Sequence, residues 1–116
     1  MDNIGLILNN VAAASTLLFG LLCLIKPEMV ARACHFDLKG PRGVAEFRIG
    51  FGGFISGLMI YPLYIQSDLV FTVLGLMWLG GAAVRVLSLF IDKPQLDNTY
   101  MAVLVFELTH GLMLLA

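Results

Sequence analysis

Charge is scarce in this chain: of 116 residues only 13% are Asp, Glu, Lys or Arg, against about 25% in an ordinary soluble domain. Hydrophobic residues make up 59%. A domain this short buries a smaller fraction of its surface than a large one, so it has no interior able to hide that much apolar surface. The composition excludes a water-soluble globule and leaves lipid as the solvent. Seven Lys+Arg against eight Asp+Glu give a formal charge of −1, which offers nothing to nucleic acid or to a strongly acidic partner. The two cysteines, Cys23 and Cys34, are too few for a disulfide framework. A Ser-His-Asp set, a phosphate-cradling glycine loop and a nucleotide fingerprint are all missing. No motif therefore names a catalytic residue or a cofactor.

What is present is four long apolar stretches, at about 4–25, 44–65, 68–91 and 98–116. Each meets the roughly 20 residues that a membrane-crossing helix needs. The expected fold is all-α: one integral membrane domain over 1–116, a bundle of four transmembrane helices. The first stretch is expected to be a retained helix and not a signal peptide, because Asp2 and Asn3 stand where a leader carries Lys or Arg. Its small-residue run Ala12–Ala14 also precedes the main apolar block. Turn chemistry separates the spans: Lys26-Pro27, then Tyr61-Pro62 with Gln66-Ser67-Asp68, then Asp92-Lys93-Pro94 through Asp97-Asn98. The second break is short enough to predict a tight antiparallel hairpin of spans two and three.

Between spans one and two, Pro27 suits a first helical position, and Glu28, Arg32 and His35 follow at i, i+4 and i+7. This predicts a short helix over 27–36 lying in the membrane interface, followed by a Gly40-Pro41-Arg42-Gly43 turn back into the membrane. Cys34 and His35 sit side by side on this element, but one Cys and one His are too few ligands for a closed zinc site.

All the basic side chains, Lys26, Arg32, Lys39, Arg42, Arg48, Arg85 and Lys93, fall on or near one side of this threading. The positive-inside rule then places the 26–43 and 92–97 loops in the cytoplasm and both termini outside the inner (plasma) membrane.

Charges inside spans are costly and mark candidate sites. Four fall there: Glu46, Arg48, Arg85 and Glu107. At 1.5 Å rise per residue, Glu46 and Arg48 lie within about one turn of the cytoplasmic surface, Arg85 about 10 Å in and Glu107 about 15 Å in. A carboxylate at that depth must pair, accept hydrogen bonds or be protonated, and Arg85 on the preceding span is its expected partner. Glu46 and Arg48, two residues apart, point to nearly opposite sides of their helix and serve different neighbours.

Each span carries a small or polar stripe. Span two has Glu46, Gly50, Gly53 and Gly57 on one side and Arg48, Gly52 and Ser56 on another. Span three has Trp78, Gly81, Arg85, Ser88 and Asp92; span four has Tyr100, Val103, Glu107, His110 and Gly111; span one has Asn9, Ala13, Thr16, Gly20 and Cys23. The bland reading is packing seams in which small residues admit a neighbouring backbone and charge pairs fix register. Glu107-x-x-His110 has the spacing used by di-metal bundles, but it occurs once here where such a site repeats it with two further glutamates; no metal site is expected.

The segments Glu46-Phe47-Arg48-Ile49-Gly50-Phe51-Gly52-Gly53 and Gly81-x-x-x-Arg85-x-x-Ser88-x-x-x-Asp92-x-Pro94, with Glu107 after them, resemble a family of short bacterial four-helix membrane proteins, domain of unknown function 4345. Phe51 stands where that pattern has Tyr, and Lys93 where it has Gly. The resemblance implies a four-span inner-membrane bundle whose residues of interest are Glu46, Arg48, Arg85, Asp92 and Glu107; it implies no activity.

With so little chain outside the spans, the expected function is non-enzymatic: an accessory or scaffold subunit packed against another membrane protein or against itself. The alternative is a binder or carrier of a small lipophilic or protonatable ligand, in a pocket around Arg85 and Glu107 walled by Trp78 and His110. The orientation is open to direct test. In intact cells, a membrane-impermeant thiol reagent should label a Ser67→Cys variant at the new thiol and leave native Cys34 unlabelled; the reverse pattern would overturn the topology.

Overall fold

In the computed structural model, which describes residues 3–116, helices are the only regular elements among the described residues. They are α1 (Asn3–Ile25), α2 (Pro27–Ala33), α3 (Gly40–Ile65), α4 (Asp68–Ile91) and α5 (Asn98–Leu115). α1, α3, α4 and α5 are each long and apolar enough to cross a membrane. Asp2, used above to argue against a leader, lies outside the described residues.

Local chemistry explains most helix ends. α2 opens with Pro27, whose missing N–H costs nothing at a helix start. It closes in a Schellman motif: His35 takes φ 63°, its N–H donates to Arg32 O, and Phe36 N–H donates to Ala31 O. The expected helix through Phe36 therefore stops at Ala33. Gln66 (φ 55°) and Lys93 (φ 49°) end α3 and α4 in the same left-handed region. α5 begins at Asp97, whose carboxylate accepts from Tyr100 N–H at 2.8 Å.

Two expectations at span two are corrected. Gly40-Pro41-Arg42-Gly43 is the first turn of α3 and not a separate turn, because Pro41 is well suited to a helix start. Tyr61-Pro62 does not punctuate the helix, which continues to Ile65 with Pro62 inside it. α3 is interrupted only in pitch: Arg48–Gly53 is a π-helical turn, and Phe54 N–H donates to Ile49 O, five residues back.

The chain forms two compact units, residues 3–12 with 66–116, and residues 13–65. In the second, α1 and α3 run antiparallel at backbone contact. A Cβ on Gly20 would lie 2.7 Å from Ser56 Oγ, and one on Gly52 would lie 2.8 Å from both Leu24 Cα and Leu24 N. Below this crossing Cys23, Val30, Ala31 and Phe47 form a buried cluster. Phe47 stacks on Phe51 at 4.6 Å, and Phe36 meets both rings edge-on at 5.4 and 5.5 Å.

Of the two glycine stripes on span two, the one holding Gly52 and Ser56 packs. The stripe of Gly50, Gly53 and Gly57 does not: beyond the adjoining backbone of the helix itself, no described atom lies within 4 Å of a Cβ on Gly50 or Gly57, and Gly53 meets only its own helix's Arg48 O at 4.0 Å. The reason is angular. α1 occupies the Gly52/Ser56 side, and Gly53 and Gly57 lie about 100° further round the helix.

In the first unit, α4 and α5 are an antiparallel pair joined by residues 92–97. A Cβ on Gly75 would lie 3.1 Å from Gly111 O, and one on Gly111 would lie 2.5 Å from the Leu79 side chain. The opening turns of α1 are tied on by amides. With its amide turned so that Nδ2 faces α5, Asn9 donates to Met113 O at 2.7 Å and Leu114 O at 3.2 Å, carbonyls of the last helical turn, where regular i→i+4 partners run out. Asn10 and Gln66 exchange two amide hydrogen bonds at 2.8 Å.

The two glycine sides give opposite expectations. Gly52→Leu forces side-chain atoms against the Leu24 backbone and should destabilise the protein by about 1–3 kcal/mol, the usual cost of overpacking. Gly57→Leu should leave thermal unfolding in detergent unchanged. Equal unfolding temperatures for the two variants would overturn the assignment of the packed side.

Candidate functional site

The centre of the site is a charge pair within an apolar helix pair. Glu107, near the middle of α5, is buried, its side chain 9% exposed; Arg85 on α4 is 28% exposed. Arg85 Nε–H donates to Glu107 Oε1 at 2.6 Å and Nη2–H to Oε2 at 3.1 Å. This two-pronged geometry fixes direction as well as charge. Gly81, one turn before Arg85, makes room for it: a Cβ there would stand 3.4 Å from Glu107 Oε2. Tyr100 braces the other side, its hydroxyl donating to Arg85 O at 2.8 Å, with the guanidinium 5.1 Å from its ring centre. The sequence placed Tyr100 on the correct stripe but did not single it out. Its signal was an aromatic with a hydroxyl two turns before Glu107 on the same face.

Beside this pair runs an open groove of about 440 Å³, lined by Gly81, Val84, Arg85, Ser88, Asp92, Pro94, Tyr100 and Glu107. Arg85, Ser88 and Asp92 line it together because they fall at i, i+3 and i+7 on α4. Val84 and Pro94 were not anticipated.

Trp78 and His110, expected in the pocket wall, do not line the groove. They form an aromatic set with Phe106: His110 stacks on Phe106 at 3.8 Å, and Trp78 lies 5.3 Å from Phe106 and 5.5 Å from His110. The buried His110 turns Nδ1 onto Phe106 O at 2.9 Å; a carbonyl only accepts, so this nitrogen carries the proton. Trp78 is two turns along α4 from Arg85, about 10 Å, and the groove ends at Gly81 before reaching it.

Glu46 and Arg48 belong to the other compact unit. Glu46 is not a buried charge. Its side chain is 59% exposed and it accepts from Arg42 Nε at 2.8 Å, an i,i+4 pair on its own helix. Arg48 lines a second groove, about 490 Å³, whose other charged residue is Glu28. The candidates Glu46, Arg48, Trp78, Arg85, Ser88, Asp92, Glu107 and His110, expected as one polar cluster, thus divide into a groove holding Arg85, Ser88, Asp92 and Glu107, an aromatic set holding Trp78 and His110, and Glu46 and Arg48 in the other unit.

Among the described residues, no group of three or more His, Cys, Asp and Glu side chains is gathered as a metal site would require. Compared with protein-family models, with curated proteins and with solved structures, the chain matches none.

The pair predicts a specific pattern of stability. Removing one partner of a buried pair costs about 3–5 kcal/mol in soluble proteins. Glu107→Gln should fall at the low end, since Arg85 keeps some exposure. Arg85→Met combined with Glu107→Leu should recover much of that loss, because no charge is left to satisfy. Additive losses across the cycle, read from unfolding in detergent, would mean that the two side chains do not stabilise each other.

Proposed function

We propose that this chain is a non-enzymatic, multi-pass protein of the inner (plasma) membrane, with both termini extracytoplasmic and α2 in the cytoplasmic interface. It works by contact, as an accessory or scaffold subunit packed against another membrane protein or a second copy of itself. The supporting observation is the open side of α3: beyond the adjoining backbone of their own helix, Gly50 and Gly57 have no described atom within 4 Å of a Cβ position. A glycine inside a helix costs about 1 kcal/mol relative to alanine. In a membrane that cost is offset where the bare backbone admits another helix closely. α1 uses Gly52 in that way, and the other glycines are left for a partner. The family resemblance belongs to the same proposal and is supported by Lys93, whose φ of 49° is in the region glycine prefers.

A second reading, binding of a small lipophilic ligand, is supported by the groove, where an ion pair, a hydroxyl and a further carboxylate line one side of α4 and α5.

A photo-crosslinker at position 57, activated in native membranes, tests the leading reading. The expected product is a covalent adduct with a polypeptide, either another protein or this chain. Adducts with lipid alone would overturn it.

A further inference from the structure

We propose that the groove beside the Arg85–Glu107 pair seats the ammonium headgroup of an amphiphile, between the Asp92 carboxylate and the Ser88 hydroxyl, with the apolar chain running past Val84. This rests on the second reading above and adds the chemical class of the ligand.

The argument is one of charge. Arg85 and Glu107 neutralise each other through their two-pronged contact. Asp92 lines the same groove and, among the described residues, belongs to no ion pair. Lys93 follows it directly, but its φ of 49° turns the chain there, and Lys93 is not part of the lining. The groove therefore carries one carboxylate beyond a neutral floor. An anionic headgroup meets Asp92 as a like charge and finds the guanidinium already engaged with Glu107.

A primary ammonium brings three donors. Ser88 and Asp92, four residues apart on α4, lie one turn apart on the same face, which suits a cation that donates to a hydroxyl and a carboxylate together. The carboxylate is at the end of the helix, where α4 gives way to the 92–97 connection, and Val84 lies two turns deeper in the apolar stretch. A polar head at the helix end and a chain along its apolar side is the polarity an amphiphile requires.

The test is native mass spectrometry of the full chain in detergent, with phosphatidylethanolamine, dodecylammonium, phosphatidylglycerol and dodecyl phosphate each titrated at equal concentration. Wild-type protein should retain a primary-ammonium amphiphile in preference to both anionic ones. Asp92→Asn should weaken that retention about tenfold, a difference of about 1.4 kcal/mol, with Ser88→Ala weakening it less. Because Asp92 is exposed and unpaired, the Asp92→Asn helix content by circular dichroism should equal that of wild type. If that variant does not fold, Ser88→Ala alone must show the loss. Retention of phosphatidylethanolamine identifies a lipid headgroup as the source and retention of dodecylammonium alone a free amine; both support the proposal. Preference for an anionic amphiphile would overturn it and leave the ligand-binding reading standing. Retention of neither kind by folded wild type would overturn both, and ammonium retention unchanged in Asp92→Asn and Ser88→Ala would remove the seat from this groove.

Discussion

A carboxylate near the middle of an apolar helix has to be answered by something, because hydrocarbon offers no water to solvate it. Glu107 is answered by Arg85, and the geometry of that contact sets the relation of α4 to α5. Two parallel N–H···O contacts fix the rotation of both helices about their axes. That rotation turns Gly81 under the carboxylate and brings Gly75 and Gly111 together two turns away. It also sets Tyr100 where its hydroxyl reaches Arg85 O. Ser88 and Asp92 line the groove because they share the face of α4 that the pair has turned toward α5.

The unit of residues 13–65 solves the same packing problem without a buried ion pair. Its two long elements meet where side chains are absent, Gly20 against Ser56 and Gly52 against Leu24. Lipid tails are as apolar as leucine, so helices gain little from hiding apolar surface against each other and more from close van der Waals contact. The charged pair of this unit, Arg42 with Glu46, is exposed on one helix, where such pairs contribute little.

Much of the fold was legible because span length and turn chemistry are local. The helix ends at Ile25, Ile65 and Ile91 and the start at Asn98 follow from apolar runs bounded by polar segments, those after Ile25 and Ile91 bearing proline. The Arg85–Glu107 pair was legible for an electrostatic reason: a deep carboxylate needs a partner, and the adjacent span offered one cation at a comparable depth. The choice between the two glycine stripes of span two was not legible, since both satisfy helical periodicity and only the position of α1 separates them. Trp78 and His110 share a stripe with the groove residues in projection, but a stripe carries no limit along the axis, and the groove stops at Gly81. Asn9 was on the expected stripe of span one. Its role in meeting the last carbonyls of α5 depends on a contact across more than a hundred residues of chain, which no local pattern encodes.

The π-helical turn at Arg48–Gly53 bears on how one helix can present glycine on two sides. Widening the turn weakens the regular i→i−4 ladder, and three of its six residues are glycines, the residue least hindered in unusual backbone geometry. Within that turn Gly52 is drawn into backbone contact with Leu24, while Gly50 is left open. Phe51, between them, stacks on Phe47 and meets Phe36 edge-on, so aromatic contact braces the irregular turn. A regular α-helix with Ala at the three glycine positions would have better intrinsic propensity, but the Ala at position 52 would bring its Cβ against Leu24. The irregular segment is therefore accounted for by close approach to α1, and the bare backbone of Gly50 remains as surface on which a second helix could approach as closely.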